Sequence, residues 1–171
     1  MACKVVPPAW RWSPRAMLFL LFQLGKDRYA LAATQVVEVL PLIHLKRIPK
    51  APRSVAGVFN YHGRPVPLID LTELAFERPS QAKMSTRIIL TNYVDETGEK
   101  HLIGFLAERV METVQKAKCD FVASGVSATD APYLGAVLTD SNGIIQRIEV
   151  DSLLPADLRK QLFCDLGEPV S

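Results

Sequence analysis

The sequence predicts a mainly β protein made of one small barrel or a pair of them, and three observations predict it. Short apolar runs rich in β-branched and aromatic residues recur along the chain, separated by turns carrying Gly, Pro or Asn. The chain also echoes itself. Gly57, a turn, Gly63, an apolar run and Asp70-Leu71 with Leu74 are matched by Gly135, a turn, Gly143, an apolar run and Asp151 with Leu153 and Leu154, which favours a duplicated unit. Finally, 171 residues of which 49% are hydrophobic and 22% charged can bury a core without disulfides or metals, as one domain or two subdomains sharing that core.

The elements follow in order. Residues 1–15 are expected as a loosely ordered leader, with Trp10 and Trp12 available to pin it to the body. Met17–Leu24 reads as a strand, Gly25-Lys26-Asp27 as a turn and Arg28–Ala32 as the returning strand. Thr34–Leu40 is divided: Thr34 can cap a helical turn, while Val36, Val37 and Val39 favour strand. Leu42–Ile48 is apolar with basic insertions, and Pro49-Lys50-Ala51-Pro52 breaks it.

Val55–Leu71 (VAGVFNYHGRPVPLIDL) reads as a β-hairpin around His62-Gly63-Arg64. Gly57 and Gly63 stand where close backbone approach or positive φ is useful. Pro65 and Pro67 cannot donate to a ladder, so the second run is expected as an edge or bulged strand. Asp70 should N-cap a single helical turn through Ala75, with Glu73 completing a capping box. Phe76–Ser85 reads as a loop, Thr86–Tyr93 and His101–Ala107 as strands joined by the Asp95–Lys100 turn, and Glu108–Gln115 as an alternating strand. After an irregular stretch, Tyr133–Thr139 and Ile144–Val150 pair around Asn142-Gly143, the strongest short hairpin signal. Ser152–Phe163 closes as a short helix interrupted at Pro155.

The chain offers little catalytic chemistry. A net charge of +2 is too small to argue for nucleic acid, and none is expected as a partner. Cys3, Cys119 and Cys164 are odd in number, lack metal-ligand spacing and read as reduced thiols. The longest apolar run, Ala16–Phe22, falls far short of the roughly 20 residues that a spanning helix needs, so no membrane insertion is expected. His44, His62 and His101 have no metal-binding pattern, and phosphate-binding and nucleophile-elbow motifs are missing. No catalytic residue, metal or cofactor is therefore expected. Lys46, Arg47, Lys50 and Arg53, with Arg64 across the hairpin, read as a solvated loop or as a patch steering an acidic protein partner, with nucleic acid the weaker third option because no aromatic residues interleave with the charges.

Several ordered motifs carry a family resemblance. Phe22-Gln23-Leu24-Gly25 and Tyr29-Ala30-Leu31 are followed by Val36-Val37-Glu38-Val39, then by Ile48-Pro49, Pro52, Val55 and Gly57-Val58. Asn60, Gly63 and Val66–Leu71 fit a hairpin signature, and Ile103-Gly104-Phe105 and Tyr133-Leu134-Gly135 continue the series. In this order they resemble the CheW-like coupling proteins of bacterial chemosensory systems, over about Leu18–Leu154.

The resemblance implies two five-stranded SH3-like β-barrels packed together over residues 16–155, with short helices, and a C-terminal helix and tail over residues 156–171. It implies a non-enzymatic cytoplasmic adaptor recruited to membrane receptor arrays. Such an adaptor couples the cytoplasmic hairpin tip of a chemoreceptor to a CheA-type histidine kinase and meets other CheW-like domains in rings. Val36, Glu38 and Val58 would then receive the receptor tip, and Asn60, His62, Gly63 and Arg64 would face the kinase. Two departures mark a divergent member: His62 stands where the family often has a coupling-linked arginine, and Glu108 stands where it has aspartate. The alternatives are a free-standing kinase-binding regulator and a ligand-binding β-barrel.

Overall fold

The structure, a computed structural model, describes residues 16–126, 129 and 131–163. The expected leader and the tail beyond Phe163 lie outside them. Ten strands form two five-stranded sheets. They are β1 (Ala16–Leu24), β2 (Asp27–Ala32), β3 (Val36–Pro41), β4 (Val55–Tyr61), β5 (Arg64–Asp70), β6 (Arg87–Val94), β7 (Lys100–Ala107), β8 (Arg109–Ala117), β9 (Leu134–Asp140) and β10 (Gly143–Ile148). Two short helices complete the described chain, α1 (Leu71–Phe76) and α2 (Ala156–Phe163). Thr34 lies in a 3₁₀ turn that gives way to strand at Val36, so both readings of that segment hold in succession.

The duplication is plain in the topology. One sheet runs β8-β1-β2-β10-β9 and the other β3-β6-β7-β5-β4. Each contains one parallel contact, β2 with β10 and β7 with β5, among antiparallel neighbours. Each closes through one isolated bridge, Val122 to Val137 in the first and Lys46 to Val58 in the second. The sequence echo coincides with the equivalent hairpins β4-β5 and β9-β10. The halves are interleaved: the hairpin β1-β2 completes the barrel of β8–β10, and β6-β7 completes that of β3–β5.

Packing explains the continuous apolar runs. Phe19 and Leu21 fill the first barrel with Leu138 and Ile145. Phe59, Leu68, Ile88 and Leu90 fill the second. The intervening residues Leu20, Phe22 and Leu24 turn outward into a third cluster with Ile89, Tyr93 and Phe105, which glues the barrels together. Strands buried on both faces lose the apolar–polar alternation. Gly104 faces the interior of the second barrel, where a Cβ would lie 2.8 Å from the Phe59 ring.

Three expectations need correction. The strand β5 is interior in its sheet order, between β7 and β4. It nevertheless pairs with β7 only from Leu68 onward, so the half holding Pro65 and Pro67 has an open side. Asp70 caps α1 by accepting from the backbone N–H groups of Thr72 and Glu73, but its own N–H donates to the Ser54 carbonyl, so the cap is one-sided rather than a box. Cys119 is disulfide-bonded, so reading all three cysteines as reduced thiols fails for it.

Candidate functional site

The hairpin β4-β5 turns on His62 and Gly63, whose φ angles are 49° and 83°. Positive φ at both central residues makes a two-residue turn whose twist matches the strands. Glycine takes this conformation freely, and histidine tolerates it better than a β-branched residue would. The Asn60 Oδ1 accepts from the Gly63 N–H at 2.8 Å and braces the turn from within. The Tyr61 ring lies edge-on to the His62 imidazole at 4.4 Å between centroids. Asn60, His62, Gly63 and Arg64 are all exposed. The tip is thus a rigid, solvent-facing display.

The tip is also fastened to a neighbouring strand. The Tyr61 hydroxyl donates to Glu38 Oε2 at 2.8 Å, and that bond pushes the phenol pKa up. Tyr61 escapes a motif search because it is simply the last apolar residue before a turn; it lies on the Phe59 face of β4, partly buried against the second-barrel core, and only its hydroxyl reaches Glu38. Beside Glu38, Val37 and Val39 are exposed and extend an apolar margin along β3, the outer strand of its sheet.

The expected residues divide into three places. Glu38 joins Asn60, His62 and Gly63 at the tip through Tyr61. Val36 is partly buried and packs against the cluster between the barrels, which suits a core role. Val58 and Arg64 line a cleft of about 750 Å³ bounded by β5, the start of β7 and the end of α2. Positions assigned to opposite faces therefore share this cleft.

The other polar clusters have structural employment. Asp70 is 6% exposed, and its carboxylate also accepts from the Ser80 N–H at 2.8 Å and from the Ser80 hydroxyl, so every role it shows is as a clamp between α1 and the following loop. Asp95, Glu99 and His101 bring ligand-type atoms within 4.8 Å of one another in the β6-β7 turn. There Asp95 is held by Thr97, by the Glu99 N–H and by the His101 Nε2 at 2.8 Å, and these hydrogen bonds, Thr97 first, keep its carboxyl well below the usual range. No helix of the described chain is long and apolar enough to cross a membrane.

Comparison with known proteins returns one consistent result. Residues 18–157 match a family model described as the CheW-like domain. The chemotaxis protein CheW of Helicobacter pylori is 25% identical over 126 residues, covering 74% of this chain and 67% of that protein. The chemotaxis protein CheW of Bacillus subtilis is 22% identical over 137 residues, covering 79% and 85%. The crystal structure of the scaffolding protein CheW from Thermoanaerobacter tengcongensis superposes with a TM-score of 0.74 at 21% identity, covering 86% of this chain and 93% of that one.

Proposed function

Because this chain belongs to the CheW-like domain family, whose model spans residues 18–157, we propose that it is a non-enzymatic adaptor that holds a chemoreceptor's cytoplasmic hairpin tip and a CheA-type histidine kinase together. The observation that carries this reading is the fastened tip. Asn60, His62, Gly63 and Arg64 are exposed on a turn that their own hydrogen bonds and Tyr61–Glu38 hold rigid. Rigid surface loops bind with little ordering cost, which is what a coupling surface needs. Such a protein works from the cytoplasmic side of receptor arrays and joins rings with other CheW-like domains.

The kinase takes the face of His62 and Arg64, and the receptor takes the margin of Glu38 and β3. Val36, behind that margin, positions β3 rather than touching a partner. Binding alone transmits nothing; coupling requires that the adaptor contact its partners differently in their two signalling states. Calorimetry of the purified chain against a CheA-type regulatory domain tests the assignment. The expected result is that His62→Glu and Arg64→Glu each weaken binding about tenfold or more while the melting temperature stays put. Unchanged affinity in both variants removes the tip from the interface.

A further inference from the structure

The cleft beside the tip has a chemistry of its own. Between Glu38 and Asp70 the chain carries Lys46, Arg47, Lys50, Arg53 and Arg64 and no acid. Lys50 and Arg64 reach the cleft, and Lys100 from β7 joins them. None of these three enters an ion pair among the described residues, where the paired cations are Arg28, Arg78, Arg147, Arg159 and His101. Among the described residues that line the cleft, none is a carboxylate. Its floor and walls are apolar, with Val58, Pro67 and Leu102 on one side and Leu162 and Phe163 of α2 on the other. The result is an apolar trough with a cationic rim.

The backbone decides which secondary structure fits. The cleft exists because β5 and β7 separate ahead of the Leu68–Gly104 pair. Tyr61 and Arg64 close the two-residue turn, so Pro65 and Pro67 fall at positions whose N–H would point away from β4, into the open side. Proline has no N–H, so an extended peptide adding to this edge would find two donors missing. A helix satisfies its own backbone and needs only side-chain contacts, and α2 already gives the cleft one helical wall.

We propose that this cleft docks an acidic amphipathic helix of a partner protein, with its apolar stripe on Val58, Leu102 and Leu162 and its carboxylates against Lys50, Arg64 and Lys100. The proposal rests on the adaptor reading for the source of the helix, while the cleft's chemistry stands without it. A volume of about 750 Å³ accommodates two or three large apolar side chains from successive helical turns. The rim sets polarity and excludes a basic helix, because like charges across an apolar trough repel.

Fluorescence anisotropy with labelled synthetic helices tests this on the full chain. The probes are peptides with Leu at i, i+3 and i+7 flanked by Glu, and the same peptides with Lys for Glu. The expected result is saturable binding of the Glu peptides, weakened about tenfold by roughly 0.5 M salt and by the double variant Lys50→Glu/Lys100→Glu, with none for the Lys peptides. Backbone amide shifts should move at Leu102 and Gln161 and stay fixed at His62. Equal binding by the folded double variant, shifts confined to the tip, or no binding by the Glu peptides overturns the proposal. So does tighter binding of decanoate at the same residues, which makes this a small-ligand site. His62→Glu separates the two readings. Kinase binding sensitive to His62→Glu with no peptide binding sinks only the cleft, and the reverse pattern sinks only the tip.

Discussion

The Tyr61 hydroxyl donates to Glu38 Oε2 over 2.8 Å, tying the hairpin tip to β3. The bond joins the hairpin tip to the Glu38 margin, the two surfaces proposed for the kinase and the receptor. Tyr61→Phe should leave the fold intact and weaken kinase binding about three- to tenfold by loosening the tip. The bond also raises the phenol pKa, so Glu38→Gln should let the Tyr61 ζ-carbon titrate at lower pH in an NMR titration. An unmoved titration would mean that the bond does not form in solution.

Gly57 sets the closure of the second barrel. It has φ 153°, and a Cβ there would lie 2.7 Å from the Lys46 carbonyl oxygen, in the bridge between Lys46 and Val58. Gly57→Ala should cost about 1–3 kcal/mol in urea unfolding, with Lys46 and Val58 losing amide-exchange protection first. Wild-type stability in this variant would show that the barrel closes by other means.

Glu108 ties the two halves together at a position where the family resemblance predicts aspartate. It is 7% exposed, and its carboxylate accepts from the Gly25 N–H at 2.8 Å and from Arg78 Nη1 at 3.1 Å. Burial works against its charge, yet the Gly25 N–H and Arg78 prevail and hold the pKa below the ordinary value. Glu108→Asp shortens the reach by one methylene and should lose one of the two bonds. Denaturant unfolding should report about 1–2 kcal/mol for Asp and more for Ala, which leaves the Gly25 N–H unpaired. Equal stability of wild type and Glu108→Ala would mean that water replaces the carboxylate at no cost.

Asp140 predicts an acid-sensitive contact. Its hydrogen bonds from Arg28 hold its pKa down at about 2, against an ordinary 3.8. A carboxyl with a lowered folded-state pKa stabilises above its unfolded pKa, and that contribution fades as pH falls through the folded value. Wild type should therefore exceed Asp140→Asn in stability at neutral pH, and the gap should close as pH falls from about 4 toward about 2. A gap that does not depend on pH would assign the effect to packing.

Local chemistry made much of this legible in the sequence. The hairpin at His62-Gly63, the cap at Asp70 and the Asn142-Gly143 turn are each written in a few adjacent residues, because turns and caps are local. The echo of β4-β5 in β9-β10 was legible for the same reason. The interleaving was not: β1 pairs with β8 across some ninety residues of chain, and strand pairing is a long-range choice that no local pattern encodes. Pro65 and Pro67 pointed to an edge strand and were half right, since only that half of β5 is open. Val36 is separated from Val58 and Arg64, which share the cleft, for a similar reason, since strand register decides which side of a barrel each reaches. The disulfide at Cys119 escaped a reading based on cysteine count and spacing alone.

The central claim is that one copy of this chain holds receptor and kinase at once. Size-exclusion chromatography with light scattering tests it on a mixture of the chain, a chemoreceptor hairpin-tip fragment and a CheA-type regulatory domain. The account predicts one species containing all three, reduced by His62→Glu to a complex of chain and receptor fragment. A chain that binds neither, or a kinase complex from which the receptor fragment is excluded, would contradict it.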